Sequence, residues 1–159
     1  MRNKEIYEKE NYLEIVLSCE TSYKIDKEHR SMLELLDWYC GHYNYLQIKV
    51  NGRIQRFHKL ITSCPEGMVV DHINRDPTDN RSCNLRVATK QQNVMNRANI
   101  TGNYKGVSWS KSAKKWRATA RLKGKSKHLG YFIKEKEAAK AYNDHVLEYF
   151  PEHGYLNKI

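Results

Sequence analysis

The stretch Met68-Val69-Val70-Asp71-His72-Ile73-Asn74, followed by Asp79-Asn80-Arg81-Ser82-Cys83-Asn84-Leu85-Arg86-Val87 and by Thr89-Lys90-Gln91-Gln92-Asn93, decides how the chain is read. Met68-Val69-Val70 is a short apolar run with β-branched residues, broken at once by polar side chains. That is the signature of a strand delivering Asp71 and His72 at its end. A loop rich in Asn and Asp, with Pro77, follows. Leu85-Arg86-Val87 fits a returning strand, and Thr89-x-x-Gln92 fits the capping box that opens a helix, with Asn93 in its first turns. Strand, loop, strand and helix thus draw Asp71, His72, Asn84 and Asn93 towards one spot.

An isolated Asp-His pair is ordinary surface decoration, and Asn-rich loops commonly serve as turns. A calcium loop is excluded, because Asn74 to Leu85 lacks the central Gly and terminal Glu it requires. The full constellation, with Asn84 twelve residues after His72 and Asn93 nine after that, carries the chemical reading. Imidazole is the side chain whose unperturbed pKa lies near neutrality, so His72 can take a proton from water.

The stretch resembles the HNH nuclease motif in its ββα-metal form, closest to the phage and intron-encoded homing type. The matching text is Asp71-His72, Asp79 to Arg86 and Gln92-Asn93. The resemblance implies His72 as general base, Asn84 as the residue orienting its imidazole, and Asp71 with Asn93 as metal ligands. The third family letter is histidine, and here it is Asn93. An amide oxygen beside a carboxylate suits hard cations, so Mg²⁺ or Mn²⁺ is the expected cofactor.

Net charge is +10, unevenly spread. Residues 1–67 carry equal numbers of basic and acidic side chains, whereas no Asp or Glu occurs from Asn80 to Lys134. A basic block beside a candidate nuclease site favours a polyphosphate partner, which the HNH resemblance implies is double-stranded DNA. Cys19, Cys40, Cys64 and Cys83 are far apart with no C-x-x-C pair, so structural zinc is not expected and reduced thiols in a cytoplasm are. No apolar run approaches transmembrane length, and no membrane partner is expected.

The expected fold class is α+β. Residues 1–101 form the nuclease part, with a β-rich scaffold over 1–67 and the ββα-metal motif over 68–101. Residues 1–11, highly charged, are expected to fray. Tyr12–Leu17 and Tyr23–Ile25 read as strands, and Asp26 as the cap of a helix through Met32, Leu33, Leu36 and Trp38. Tyr43–Val50 and Arg53–Ile61 flank Asn51-Gly52, a strong hairpin signal. His58 is read as packing beneath the site rather than touching phosphate. His29, His42, His145 and His153 carry no ligand spacing and read as structural or exposed. Residues 94–103 are the expected junction, an exposed linker after the helix.

Over residues 102–159, Tyr104–Ser110, Lys115–Leu122 and Lys127–Phe132 alternate as three antiparallel strands. Glu135–Phe150 repeats Ala138, Ala139, Tyr142, Val146 and Tyr149 as an amphipathic helix. Trp116, Ala118 and Ala120 would face that helix, and Arg117, Thr119 and Arg121 would face away. Trp109 and Trp116 read as packing residues rather than stacking platforms, with an exposed Trp109 as the alternative. This part resembles the Apetala-type (ethylene-response-factor) DNA-binding domain, on Tyr104-Lys105-Gly106-Val107, Lys115-Trp116, Leu129-Gly130-Tyr131-Phe132, Glu137 to Asn143 and Leu156-Asn157. The resemblance implies a sheet lying in the major groove. It puts Lys105, Ser108, Ser110, Thr119, Arg121, Ser126 and His128 in the contacting places, beside the outward Arg117. Ser108, Ser110, Ser126 and His128 depart from the plant domains, so the plant target does not transfer.

The sequence therefore predicts a metal-dependent DNA endonuclease of homing or free-standing phage type. One site per chain favours a nicking monomer; double-strand cleavage would need a dimer or sequential nicks. A non-catalytic DNA-binding regulator is the alternative from another class, and the presence of all four motif residues counts against it. An RNA-binding module finds no stacking-aromatic signature.

Overall fold

The computed structural model describes residues 4–98 and 102–159. Residues 1–3 of the expected frayed terminus and Asn99-Ile100-Thr101 of the expected linker lie outside them. The chain is mixed α/β, with small antiparallel sheets and short helices, and divides into two compact units, Met1–Ala88 and Thr89–Ile159.

In the first unit, β1 (Lys4–Glu8), β2 (Leu13–Leu17) and β3 (Ser22–Ile25) form one sheet in the order β1-β2-β3. Leu13, Ile15 and Leu17 alternate inward on β2, as Tyr23 and Ile25 do on β3. β1 corrects the expectation of a frayed start. Its charged residues sit at the exposed edge, but the Ile6–Ile15 pairing gives it one apolar anchor on the core.

The next stretch, read as one helix capped by Asp26, is a turn of 3-10 helix at Lys27–His29 running into α1 (Arg30–Leu35). The Asp26 carboxylate makes no cap bond. It accepts instead from the Ser82 N–H at 2.6 Å. Trp38 lies beyond α1 and is buried against Phe57, while its indole N–H donates to Met32 O.

β4 (Tyr39–Cys40), β5 (Leu46–Val50) and β6 (Arg53–Arg56) make the second sheet, with β5 and β6 joined through Asn51-Gly52 as the sequence predicts. Both turn residues have positive φ, the requirement that Asn-Gly meets. The second arm of the hairpin does not continue to Ile61, because residues from Phe57 form α2 (Phe57–Ile61). Phe57 and His58 are adjacent and both buried. A strand would send them to opposite faces, whereas a helical turn can bury both.

β7 (Val69–His72) and β8 (Leu85–Ala88) form a two-stranded ribbon with Asp71 opposite Arg86 and His72 opposite Leu85. The loop between them is bonded to β3. Lys24 N–H donates to Thr78 O and Asn80 N–H donates to Lys24 O, at 2.9 and 2.8 Å. The scaffold sheet thus fixes the loop that carries the motif.

The second unit opens with α3 (Lys90–Asn96), whose capping box is complete: Gln92 N–H donates to Thr89 Oγ1, and Thr89 N–H to the Gln92 side chain. β9 (Val107–Ser110), β10 (Lys115–Leu122) and β11 (Lys125–Phe132) follow as an antiparallel sheet in the order β11-β10-β9, and α4 (Glu135–Tyr149) packs on it. Ala118 and Ala120 are buried opposite Ala138, Ala139, Tyr142 and Val146, small residues that allow close approach. Gly106 has φ +76, and a Cβ there would lie 2.2 Å from the Tyr142 ring, so only glycine fits.

His145, expected to be structural or exposed, is buried. Tyr149, expected on the apolar face, is 40% exposed and lies against His145 and beneath Lys127. Among the described residues no helix is long and apolar enough to cross a membrane, and the four cysteines are free thiols.

Candidate active site

β7 ends on Asp71 and His72, 5% and 6% exposed. Asp71 pairs with the residue opposite it: Arg86 Nε and Nη2 both donate to Oδ2, at 3.0 and 2.8 Å. His72 is held differently. Its Nε2 lies 3.3 Å from Asn80 Oδ1, and Asn80 is fully buried.

The Asn80 amide is oriented by its own bonds, since Nδ2 donates to Pro77 O and Thr78 O, both at 3.3 Å. Its oxygen must therefore face the imidazole, and Nε2–H is the donor. That tautomer puts the ring's lone pair on Nδ1. Burial holds the His72 pKa below the usual histidine range, against the opposing pull of Asn80 and of Asp71, Asp76 and Asp79. A neutral imidazole is the form a general base needs.

Asn84, read from sequence as the orienter of His72, acts on the loop. Its Oδ1 accepts from Asn74 N–H, and its Nδ2 donates to Asn74 Oδ1 and Asp79 O, at 2.9, 3.0 and 2.7 Å. Arg81 clamps Asp79 through two 2.7 Å bonds and holds that carboxyl below the usual range. Asn80, the side chain bonded to His72, was visible in the sequence within Asp79-Asn80-Arg81. What hid it is that loop closure, not spacing, decides which asparagine meets the ring.

Asp71 and His72 on β7, and Asn84 in the loop between β7 and β8, are thus held by Arg86, by Asn80, and by Asn74 with Asp79, respectively. Asn93 lies on α3 in the second unit. A separate acidic group, Asp26, Glu28 and His29, places its ligand atoms within 4.8 Å of one another, but Asp26 is already bonded to the Ser82 amide.

The expected DNA-contacting residues share one face of the second sheet. Cross-strand partners lie on the same side of an antiparallel sheet, and the register pairs Ser110 with Lys115, Ser108 with Arg117, Thr119 with His128, and Arg121 with Ser126. A bulge between Ala118 and Thr119 skips Leu129, which packs into the core and lets His128 keep the outer face. Lys105 has another task. Its Nζ donates to Val94 O, Met95 O and Arg97 O at 3.1, 2.7 and 2.6 Å, satisfying the last carbonyls of α3. Trp109, expected to pack, is 50% exposed while its ring edge meets Trp116.

The family profile described as HNH endonuclease matches residues 63–95. Over 127 residues the chain is 32% identical to an uncharacterised HNH endonuclease of Acanthamoeba polyphaga mimivirus, an alignment spanning 77% of this chain and 67% of that protein. Protein 3.8 of Escherichia phage T7 is 38% identical over 65 residues, which are 38% of this chain and 53% of the phage protein. No solved structure matches. The chain belongs to the HNH endonuclease family.

Proposed function

We propose that the protein is a metal-dependent DNA endonuclease that hydrolyses phosphodiester bonds, with His72 as the general base. The observation that carries this reading is the His72–Asn80 contact: a buried, neutral imidazole with its Nε2–H fixed by an asparagine whose own orientation is locked. In this reading His72 Nδ1 takes the proton of the attacking water. Asn84 contributes by holding residues 74–80 closed, so that Asn80 stays on the ring.

Asp71 and Asn93 would hold the cation. The donor set fits a hard divalent ion such as Mg²⁺ or Mn²⁺, being one carboxylate and one amide oxygen. Such an ion supplies charge stabilisation at the phosphoryl and leaving oxygens.

Residues 102–159 would bind double-stranded DNA as an Apetala-type domain. The three-stranded sheet on one helix supports this, as does the outward row of Ser108, Ser110, Arg117, Thr119, Arg121, Ser126 and His128. The division of labour at 101/102 remains the functional one, although α3 packs within the second compact unit. One site per chain favours nicking by a monomer, and double-strand cleavage would need a dimer or sequential nicks.

Incubation with supercoiled plasmid DNA and Mg²⁺ or Mn²⁺, with and without EDTA, tests the reading. Metal-dependent nicked circles with 5′-phosphate and 3′-hydroxyl ends are expected. DNA that is bound but never cut under either metal, across phage and bacterial substrates, would contradict it.

A further inference from the structure

His58 stands outside the residues the proposed chemistry uses. It is 2% exposed, and its Nδ1 has no hydrogen-bond partner among the described residues. An unpaired buried nitrogen is costly. What His58 does touch is His72: the ring centroids lie 5.0 Å apart, with the planes at 79°. Tyr45 lies against both rings, at 5.2 Å from His58 and 6.1 Å from His72. The Arg56 guanidinium stands over Tyr45 at 4.5 Å.

The hairpin explains how these groups meet. Pairing of Gln47 with Arg56 sets the start of β5 beside the end of β6, so Tyr45 and the first turn of α2 become neighbours.

We propose that His58 is a positioning residue of the nuclease site: with Tyr45 it forms an aromatic wall that fixes the plane of the His72 imidazole. The β5–β6 hairpin and α2 are then part of the catalytic module, upstream of the stretch that the family profile covers. This rests on the reading of His72 as the base.

The torsion that turns an imidazole about its Cβ–Cγ bond is broad, and the Asn80 bond at one nitrogen still permits tilting. The His58 ring, nearly perpendicular to the imidazole, and the tilted Tyr45 ring beside it restrict that freedom. A general base works only within hydrogen-bond reach, and about 1 Å of misplacement costs about 10²-fold in rate. Burial keeps His58 uncharged, its pKa pushed down to about 3, so the wall sets no cation against His72.

The test uses the full chain and two variants, His58→Phe and His58→Leu. Relaxation of the ¹³Cε1-labelled His72 ring is measured alongside single-turnover plasmid nicking and DNA affinity. His58→Phe keeps the flat ring edge and should hold His72 as rigid as in the parent, with nicking within about 3-fold. His58→Leu keeps the volume but not the plane. It should loosen the ring and slow nicking about 10- to 100-fold, with DNA affinity unchanged. The proposal is overturned if the leucine variant leaves His72 fully rigid, or if both variants slow nicking equally in step with lost stability, the mark of plain core packing. If leucine loosens the ring while the parent protein cuts no DNA, the positioning role stands and the nuclease reading falls.

Discussion

Asn84 holds Asn74 by both main chain and side chain, accepting from its N–H at 2.9 Å and donating to its Oδ1 at 3.0 Å. With the further bond to Asp79 O, this one amide joins both ends of the loop between β7 and β8.

Asn84→Ala removes all three bonds and leaves the buried Asp79 carbonyl without this partner. The variant should lose about 2–3 kcal/mol of stability in urea unfolding, and nicking should fall further than stability alone explains, because Asn80 is released from His72. Asn84→Asp keeps the acceptor and loses the donors, so it should fall between the two. An alanine variant with full activity would mean the loop closes without Asn84.

Acid should destabilise the first unit through its buried histidines. The His58 pKa is pushed from its ordinary value to about 3, chiefly by burial and then by His72, Arg56 and Lys59; His72 is lowered in the same direction. The unfolded chain therefore binds protons that the folded one refuses. The stability is fully present above about pH 6.5 and is lost as pH falls towards 3, at up to about 1.4 kcal/mol per pH unit for each histidine. Urea midpoints at pH 7.5, 6 and 5 check this. His58→Phe should flatten the slope, and an unchanged slope would place the proton uptake elsewhere.

The second unit offers a test of which cations face DNA. Arg117 and Arg121 stand on the outer face of the sheet, whereas the Lys105 ammonium caps α3. Arg117→Ala and Arg121→Ala should each weaken DNA binding and lower the salt dependence of affinity by about one phosphate contact. Lys105→Met should instead cost about 1 kcal/mol of stability, by uncapping the helix, and leave the salt slope nearly unchanged. Fluorescence anisotropy across a salt series separates the two effects.

Where local chemistry decides the structure, the sequence was readable. Val69-Val70 before Asp71, the Thr89–Gln92 capping box, Asn51-Gly52 and the alternation of β10 each specify their element within a few residues. Leu156-Asn157 also has its reason: Asn157 accepts from Lys105 N–H and donates to Lys105 O, tying the tail to the start of the sheet. What could not be read depends on partners distant in sequence. β1 exists because Ile6 meets the core, and Phe57-His58 turn helical because both must go inward. His58 meets His72 only through the pairing of β5 with β6, and Asn80 lies against the imidazole in a loop that β3 pins. Spacing proposed the members of the candidate site, and tertiary closure decides which side chains of the loop touch one another.

The central claim is that His72 performs the proton transfer, and the most direct measurement compares the protein with His72→Ala on supercoiled DNA with Mg²⁺ or Mn²⁺. Gel shifts should show equal binding. The parent should nick, while the variant should be slower by about 10²- to 10⁴-fold, the usual contribution of a general base. Equal nicking by both proteins would contradict the assignment and move the chemistry away from the end of β7.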